Sequence, residues 1–212
     1  MFYRLLLALL LIPVLVSAQV SIPEKTVTVN LVHVIGENSL NTGRARQLFS
    51  ILQGEYQRQT SLNIRIRYFR TRNDRLVQNL RNRNAILKYY QRVFSSDRRA
   101  PADISMAILP PIKEGGVYYL AGLATGTCRL RSSGIAVANA EERNSAGVPR
   151  FINSIVVVMH EMGHLLGANH IDTLPATTMH SNALAYVDAQ GGRVLQFHPK
   201  SVKEILNCTK RL

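Results

Sequence analysis

Between Lys25 and Ile35 one parity of the chain carries Val27, Val29, Leu31, His33 and Ile35, a period of two that predicts a β-strand. Val32 and Val34 add apolar residues on the other parity, so the strand is expected to be buried on both faces near its end. His33 lies inside this run and reads as a packed core histidine rather than a ligand. The period then lengthens. Thr42 is placed to cap a helix running to about Gln59, with Ala45, Leu48, Phe49, Leu52 and Tyr56 on one side. Ile64, Ile66 and Tyr68 alternate with Arg65, Arg67 and Phe69, a second strand with a basic outer face. A helix is expected over Asn82–Phe94, then a short strand over Asp103–Leu109 that Pro110 and Pro111 terminate. Strands alternating with helices point to an α/β layer with parallel strands.

Gly115 and Gly116 open a further strand, Val117–Ala124, and Gly134–Asn139 reads as a short apolar one. A bend over Gly126–Arg131 carries Cys128, and residues 140–149 read as an exposed loop. From Phe151 to Leu166 the apolar positions fit a helix. Its β-branched run Ile155–Val158 is a poor helix former, so burial must hold it. Pro199 suits the first position of a terminal helix through Leu206.

The helix over Phe151–Leu166 carries the densest chemistry in the chain. His160 and His164 are four residues apart, so they share one helix face and can share a metal ion. Glu161 sits beside the first, where its carboxylate can reach a metal-bound water. Gly167 lets the chain leave the helix sharply, and that turn can return His170 as a third ligand. Three imidazoles plus water make the open tetrahedral arrangement of catalytic rather than structural zinc. The plain alternative is a helix whose histidines hydrogen-bond in the core. Five fixed positions make a chance match in a chain of this length about one in ten thousand or rarer, which disfavours that alternative.

The first residues qualify where this chemistry operates. Arg4 precedes 12 apolar residues from Leu5 to Val16, and Val16-Ser17-Ala18 supplies the small residues of a cleavage site before Gln19. This pattern predicts a secretory signal peptide over residues 1–18 rather than a membrane anchor, which the run is too short to form comfortably. Cleavage leaves 194 of the 212 residues, enough for one catalytic domain over residues 19–212. Cys128 and Cys208, an even pair in a secreted chain, are expected to form a disulfide.

Charge adds less. The formal net charge is +13, much of it between Arg44 and Arg99. An anionic surface or sulfated glycan is a possible partner, but a solvated basic face is the favoured reading. Nucleic acid is not expected, because secretion is predicted and no recognition motif accompanies the charge. Asn207-Cys208-Thr209 formally fits a glycosylation sequon, with a cysteine at its centre.

With the full motif at His160, Glu161, His164, Gly167 and His170, the chain resembles the metzincin zinc endopeptidases. Met179, in Thr177-Thr178-Met179-His180, lies where that family keeps a methionine turn beneath its metal. Within the family the reprolysin (adamalysin-like) group is nearest, through Ala124-Thr125-Gly126-Thr127-Cys128 and Ser132–Val137. Archaemetzincins match less well, since their cysteine-rich second metal site is lacking. One departure is Ile171, which stands between His170 and Asp172 where reprolysins place Asp directly after the third histidine.

The resemblance implies an α/β (α+β) metzincin-type fold. It would have a twisted, mostly parallel five-stranded sheet, an antiparallel edge strand, an active-site helix and a small C-terminal subdomain. It implies Zn2+ held by His160, His164 and His170, with Glu161 as the catalytic base. The strand around Val117–Ala124 would align an extended substrate, and Asn182–Tyr186 would line a specificity pocket with the methionine turn. The expected protein is a secreted monomer without a stable membrane span, cutting peptide bonds in extracellular proteins or peptides. No prodomain is recognisable after Gln19, so latency is expected to come from elsewhere or to be lacking. Two alternatives stand beside this: a secreted zinc-containing binding protein or toxin with little turnover, and a metal hydrolase of non-protein bonds. An intact Glu161 argues against the first.

Overall fold

The computed structural model describes residues 25–36, 38–72, 83–96, 102–114, 117–119, 122–125, 128, 132–137 and 151–211. The expected signal peptide, the loop over residues 140–149, most of the Gly126–Arg131 bend and the arginines between residues 73 and 82 lie outside the described residues. The chain runs β1 (Thr26–Val34), α1 (Thr42–Thr60), β2 (Asn63–Thr71), α2 (Arg83–Ser96), β3 (Ile104–Leu109), β4 (Ile112–Glu114), β5 (Val117–Tyr119) and β6 (Gly122–Ala124). It continues through β7 (Ser132–Val137), α3 (Phe151–Leu165), α4 (Val187–Gln190) and α5 (Pro199–Thr209), with 3-10 turns at Ala183–Tyr186 and Gly191–Leu195.

Five strands form one sheet in the order β2-β1-β3-β7-β6. The first four are parallel, and β6 runs antiparallel to β7 at the edge. This is the expected mixed sheet. Every residue of β3 is buried because the strand feeds two cores at once. Ile104, Met106 and Ile108 face a core shared with α1 and α3, whereas Ala107 and Leu109 face one shared with α2. Burying each of the larger side chains contributes about 1.5–3 kcal/mol, which is why the strand shows no polar parity.

Three local expectations are corrected. Asn41, not Thr42, caps α1: its side-chain oxygen accepts the Arg44 N–H at 2.9 Å. Val117–Ala124 is not one strand. β5 folds back on β4 as a hairpin, with Glu114 opposite Val117, and only β6 joins the main sheet. The strand expected at Gly134–Asn139 begins earlier and spans Ser132–Val137, pairing Ser132 and Ser133 with Ile104 and Ser105.

The helix α3 shows how burial overrides propensity. Ile155, Val156, Val157 and Val158 are all buried, and they point to different neighbours. Ile155, Val157 and Val158 join the sheet-side core, while Val156 packs with Ala183, Val187 and Val194 of the C-terminal segment. A helix apolar on all sides needs cover on all sides. The C-terminal segment supplies it, and Gln59 of α1 ties that segment down by donating to the Leu195 carbonyl at 2.9 Å and accepting the Phe197 N–H at 2.6 Å. Terminal helix α5 extends to Thr209, three residues beyond the expected end, and carries Cys208 into a disulfide with Cys128. No helix of the described residues is long and apolar enough to cross a membrane.

Candidate active site

The three motif histidines meet where α3 ends. Helix α3 stops in a hydrogen-bonded turn in which Ala168 N–H donates to the Gly163 carbonyl at 2.9 Å and Gly167 N–H to the His164 carbonyl at 3.0 Å. That pairing is the Schellman arrangement, and it requires a left-handed residue, met by Gly167 at φ 95°. The turn also leaves no space for a side chain: a Cβ on Gly167 would lie 2.8 Å from the Cys208 Cβ. Past it, Asn169 N–H donates to the Glu204 carboxylate of α5 at 2.9 Å, holding the segment that carries His170. Nothing in the sequence marks Glu204 as a site residue, because a contact 35 positions away leaves no local pattern.

The Nε2 atoms of His160, His164 and His170 lie 3.1 Å from one another in all three pairs. Nitrogens about 2.05 Å from a shared tetrahedral ion are separated by roughly 3.3 Å, so the spacing fits zinc. The other ring nitrogens explain the orientation. Nδ1 of His160 donates to the Thr178 carbonyl at 2.7 Å and Nδ1 of His164 to the Ala168 carbonyl at 2.8 Å. A proton committed to Nδ1 leaves the Nε2 lone pairs of His160 and His164 free to face a cation beside His170 Nε2.

Electrostatics favour the same state. Burial holds the His160 imidazole down to about 4, outweighing the Thr178 carbonyl that raises it. Burial lowers His164 as well. Both shifts favour the neutral imidazole, the form a metal ligand needs. His33, expected in the core, is buried there, with Nδ1 2.9 Å from the Tyr68 hydroxyl, and takes no part in the site.

Met179 is fully buried, with its sulfur packed against Gly163 of α3. Ile171 N–H donates to its carbonyl at 3.0 Å, and Thr178 is pinned through its N–H to the Gln196 carbonyl and its hydroxyl to the Val194 carbonyl, each at 2.9 Å. Asp172, one position later than in reprolysins, still braces this turn by accepting the Ser181 N–H at 2.7 Å. That backbone bond is the main reason its carboxyl sits below the usual range. Ala183 packs against Val156 of α3, and the His180 and Tyr186 rings meet edge to face, within the segment expected to line a pocket.

Packing against Met179 also accounts for Gly163, a helix-interior glycine that the motif leaves unexplained. A Cβ there would lie 2.5 Å from Met179 Sδ and 3.4 Å from Phe197 Cε1. Gly163→Ala is therefore expected to overpack the methionine floor at a cost of about 1–3 kcal/mol, despite a helix-propensity gain of about 1 kcal/mol. Thermal unfolding measures this directly. A variant as stable as the parent would remove the close-packing account.

A sequence profile of metallo-peptidase family M12, of reprolysin type, matches residues 41–195, a span that includes the whole motif. The chain belongs to metallopeptidase family M12. It is a zinc metalloprotease of the metzincin type, as the motif and fold together imply. Among solved structures it is similar to archaemetzincin from Methanopyrus kandleri, with a TM-score of 0.63 and 14% identity over 91% of this chain and 99% of that one. It is also similar to metalloproteinase-II from Bacteroides fragilis, with a TM-score of 0.57 and 12% identity over 88% of this chain and 54% of the other. At these identities the likeness is one of fold. Comparison with curated proteins finds no match. The M12 profile and the archaemetzincin fold are thus compatible: the first speaks to sequence motif, the second to backbone architecture.

Proposed function

We propose that this M12 protein is a secreted zinc endopeptidase that cuts peptide bonds in extracellular proteins, with His160, His164 and His170 as the zinc ligands and Glu161 as the catalytic base. The observation that carries this reading is the convergence of the three Nε2 atoms at 3.1 Å, with the Glu161 carboxylate on the same helix turn. Zinc bound there acidifies water and polarises a carbonyl. Glu161 takes the proton of the attacking water and passes it to the departing amine, so one carboxylate serves as base and then as acid. Thr178 and Ala168 hold the rings of His160 and His164 through both steps by their carbonyls.

Substrate alignment falls to β6. Among the described residues it pairs only with β7, which leaves its outer edge for an extended peptide to join by backbone hydrogen bonds. The Cys128–Cys208 disulfide supports an oxidising compartment and hence secretion, in keeping with the expected leader.

The test is cleavage of a quenched peptide library by the disulfide-bonded protein. Cleavage is expected at internal bonds, to stop with a zinc chelator and to return when zinc is added. Absence of any cleavage by zinc-replete protein would sink the reading.

A further inference from the structure

One glycine beside the site is required by space rather than by backbone conformation. Gly122 lies on β6, and the positive-φ glycine among the described residues is Gly167, so nothing in the torsions of Gly122 calls for glycine. A glycine in a strand weakens it and often marks a close approach. Here the approach is to Glu161. A Cβ on Gly122 would lie 2.5 Å from Cδ and 2.6 Å from Oε1 of that side chain, and closer still to Cγ. All are far inside the ordinary contact distance of about 3.5–4.0 Å. The three nearest heavy atoms to that missing methyl are therefore all Glu161. On β7 the situation differs: a Cβ on Gly134 would meet Leu165 Cδ1 at 3.2 Å, a contact that a small shift relieves.

We propose that Gly122 is the positioning residue for Glu161, its bare Cα forming the wall along which the carboxylate lies; this rests on the reading of Glu161 as the catalytic base. A long, unbranched glutamate side chain has many rotamers, so an unconfined one samples many positions. Glu161 is buried, and α3 and β6 hold it between them. The backbone of a paired strand and the backbone of a buried helix yield little. A methyl group on Gly122 therefore moves the glutamate side chain and leaves the three histidines in place.

Gly122→Ala tests this. The expected result is a fall in kcat of about 10²-fold, within the range a positioned general base contributes, with KM changed by less than about three-fold. Bound zinc, and the visible spectrum of the cobalt-substituted protein, are expected to be unchanged, because the ligands have not moved. In a Glu161→Ala background the three closest contacts of that methyl are gone, so adding Gly122→Ala is expected to change neither the residual activity nor the melting temperature. Additive losses in the double variant, or loss of metal from the single one, overturn the proposal. Should Gly122→Ala fail to fold, recovery of folding by Glu161→Ala supports the steric coupling, and failure of both variants refutes it. If Glu161→Ala keeps activity, the base reading and this proposal fall together. If it is inactive while Gly122→Ala retains kcat within about three-fold, only this proposal falls.

Discussion

Glu161→Gln is expected to lower kcat by about 10²–10⁴-fold while bound zinc and melting temperature stay near those of the parent. Glutamine keeps the shape of the side chain, so the packing against Gly122 survives. It cannot accept a proton at neutral pH, so the step from water to leaving amine loses its carrier. The three ligands are untouched, since their orientation comes from the Thr178 and Ala168 carbonyls and from the turn at Gly167. Steady-state kinetics on a library-derived peptide, paired with elemental analysis of bound zinc, separates the two effects. Retention of activity would place the base elsewhere, and loss of zinc would mean that Glu161 serves the ligand geometry instead.

The second large effect concerns stability. Replacing both Cys128 and Cys208 by serine releases a crosslink between residues 80 apart. Chain-entropy reasoning assigns such a loop about 4.5 kcal/mol, a large share of the roughly 5–15 kcal/mol by which domains are stable. The loss reaches the site as well. The Cβ atoms of both cysteines lie against Gly167, and α5 holds Asn169 through Glu204. Denaturant unfolding is expected to show the stability loss, and chelator competition a weaker hold on zinc. A change below about 1 kcal/mol with zinc affinity intact would mean that packing alone secures α5.

Much of this is legible in the sequence, for physical reasons that differ between elements. The histidine triad can be read because helix spacing and a left-handed glycine are local rules, and both hold in α3 and at Gly167. The order of strands and helices follows from the change of hydrophobic period. What the sequence conceals is long-range. Nothing in the neighbourhood of Glu204 announces Asn169, and nothing near Gln59 announces Leu195 or Phe197. Gly122 and Gly163 are visible as glycines within regular elements, but only the fold reveals that one faces Glu161 and the other Met179. Asn41 and Thr42 are both competent caps, and the choice between them rests on which side chain reaches the Arg44 N–H.

The two margins of the sheet are chemically unlike. At one, β6 presents Gly122, Leu123 and Ala124, a short and uncharged stretch. At the other, β2 carries Arg65 and Arg70 in exposed positions, with Arg72 just past its end. Among the described residues each margin has a neighbour on one side only. Open strand margins invite other chains, and repeated cations on one of them repel a second copy of the same molecule. Strand addition is therefore expected at the uncharged β6 margin, and lowering the arginine content of β2 is expected to raise self-association, read by light scattering, without touching a residue of the site.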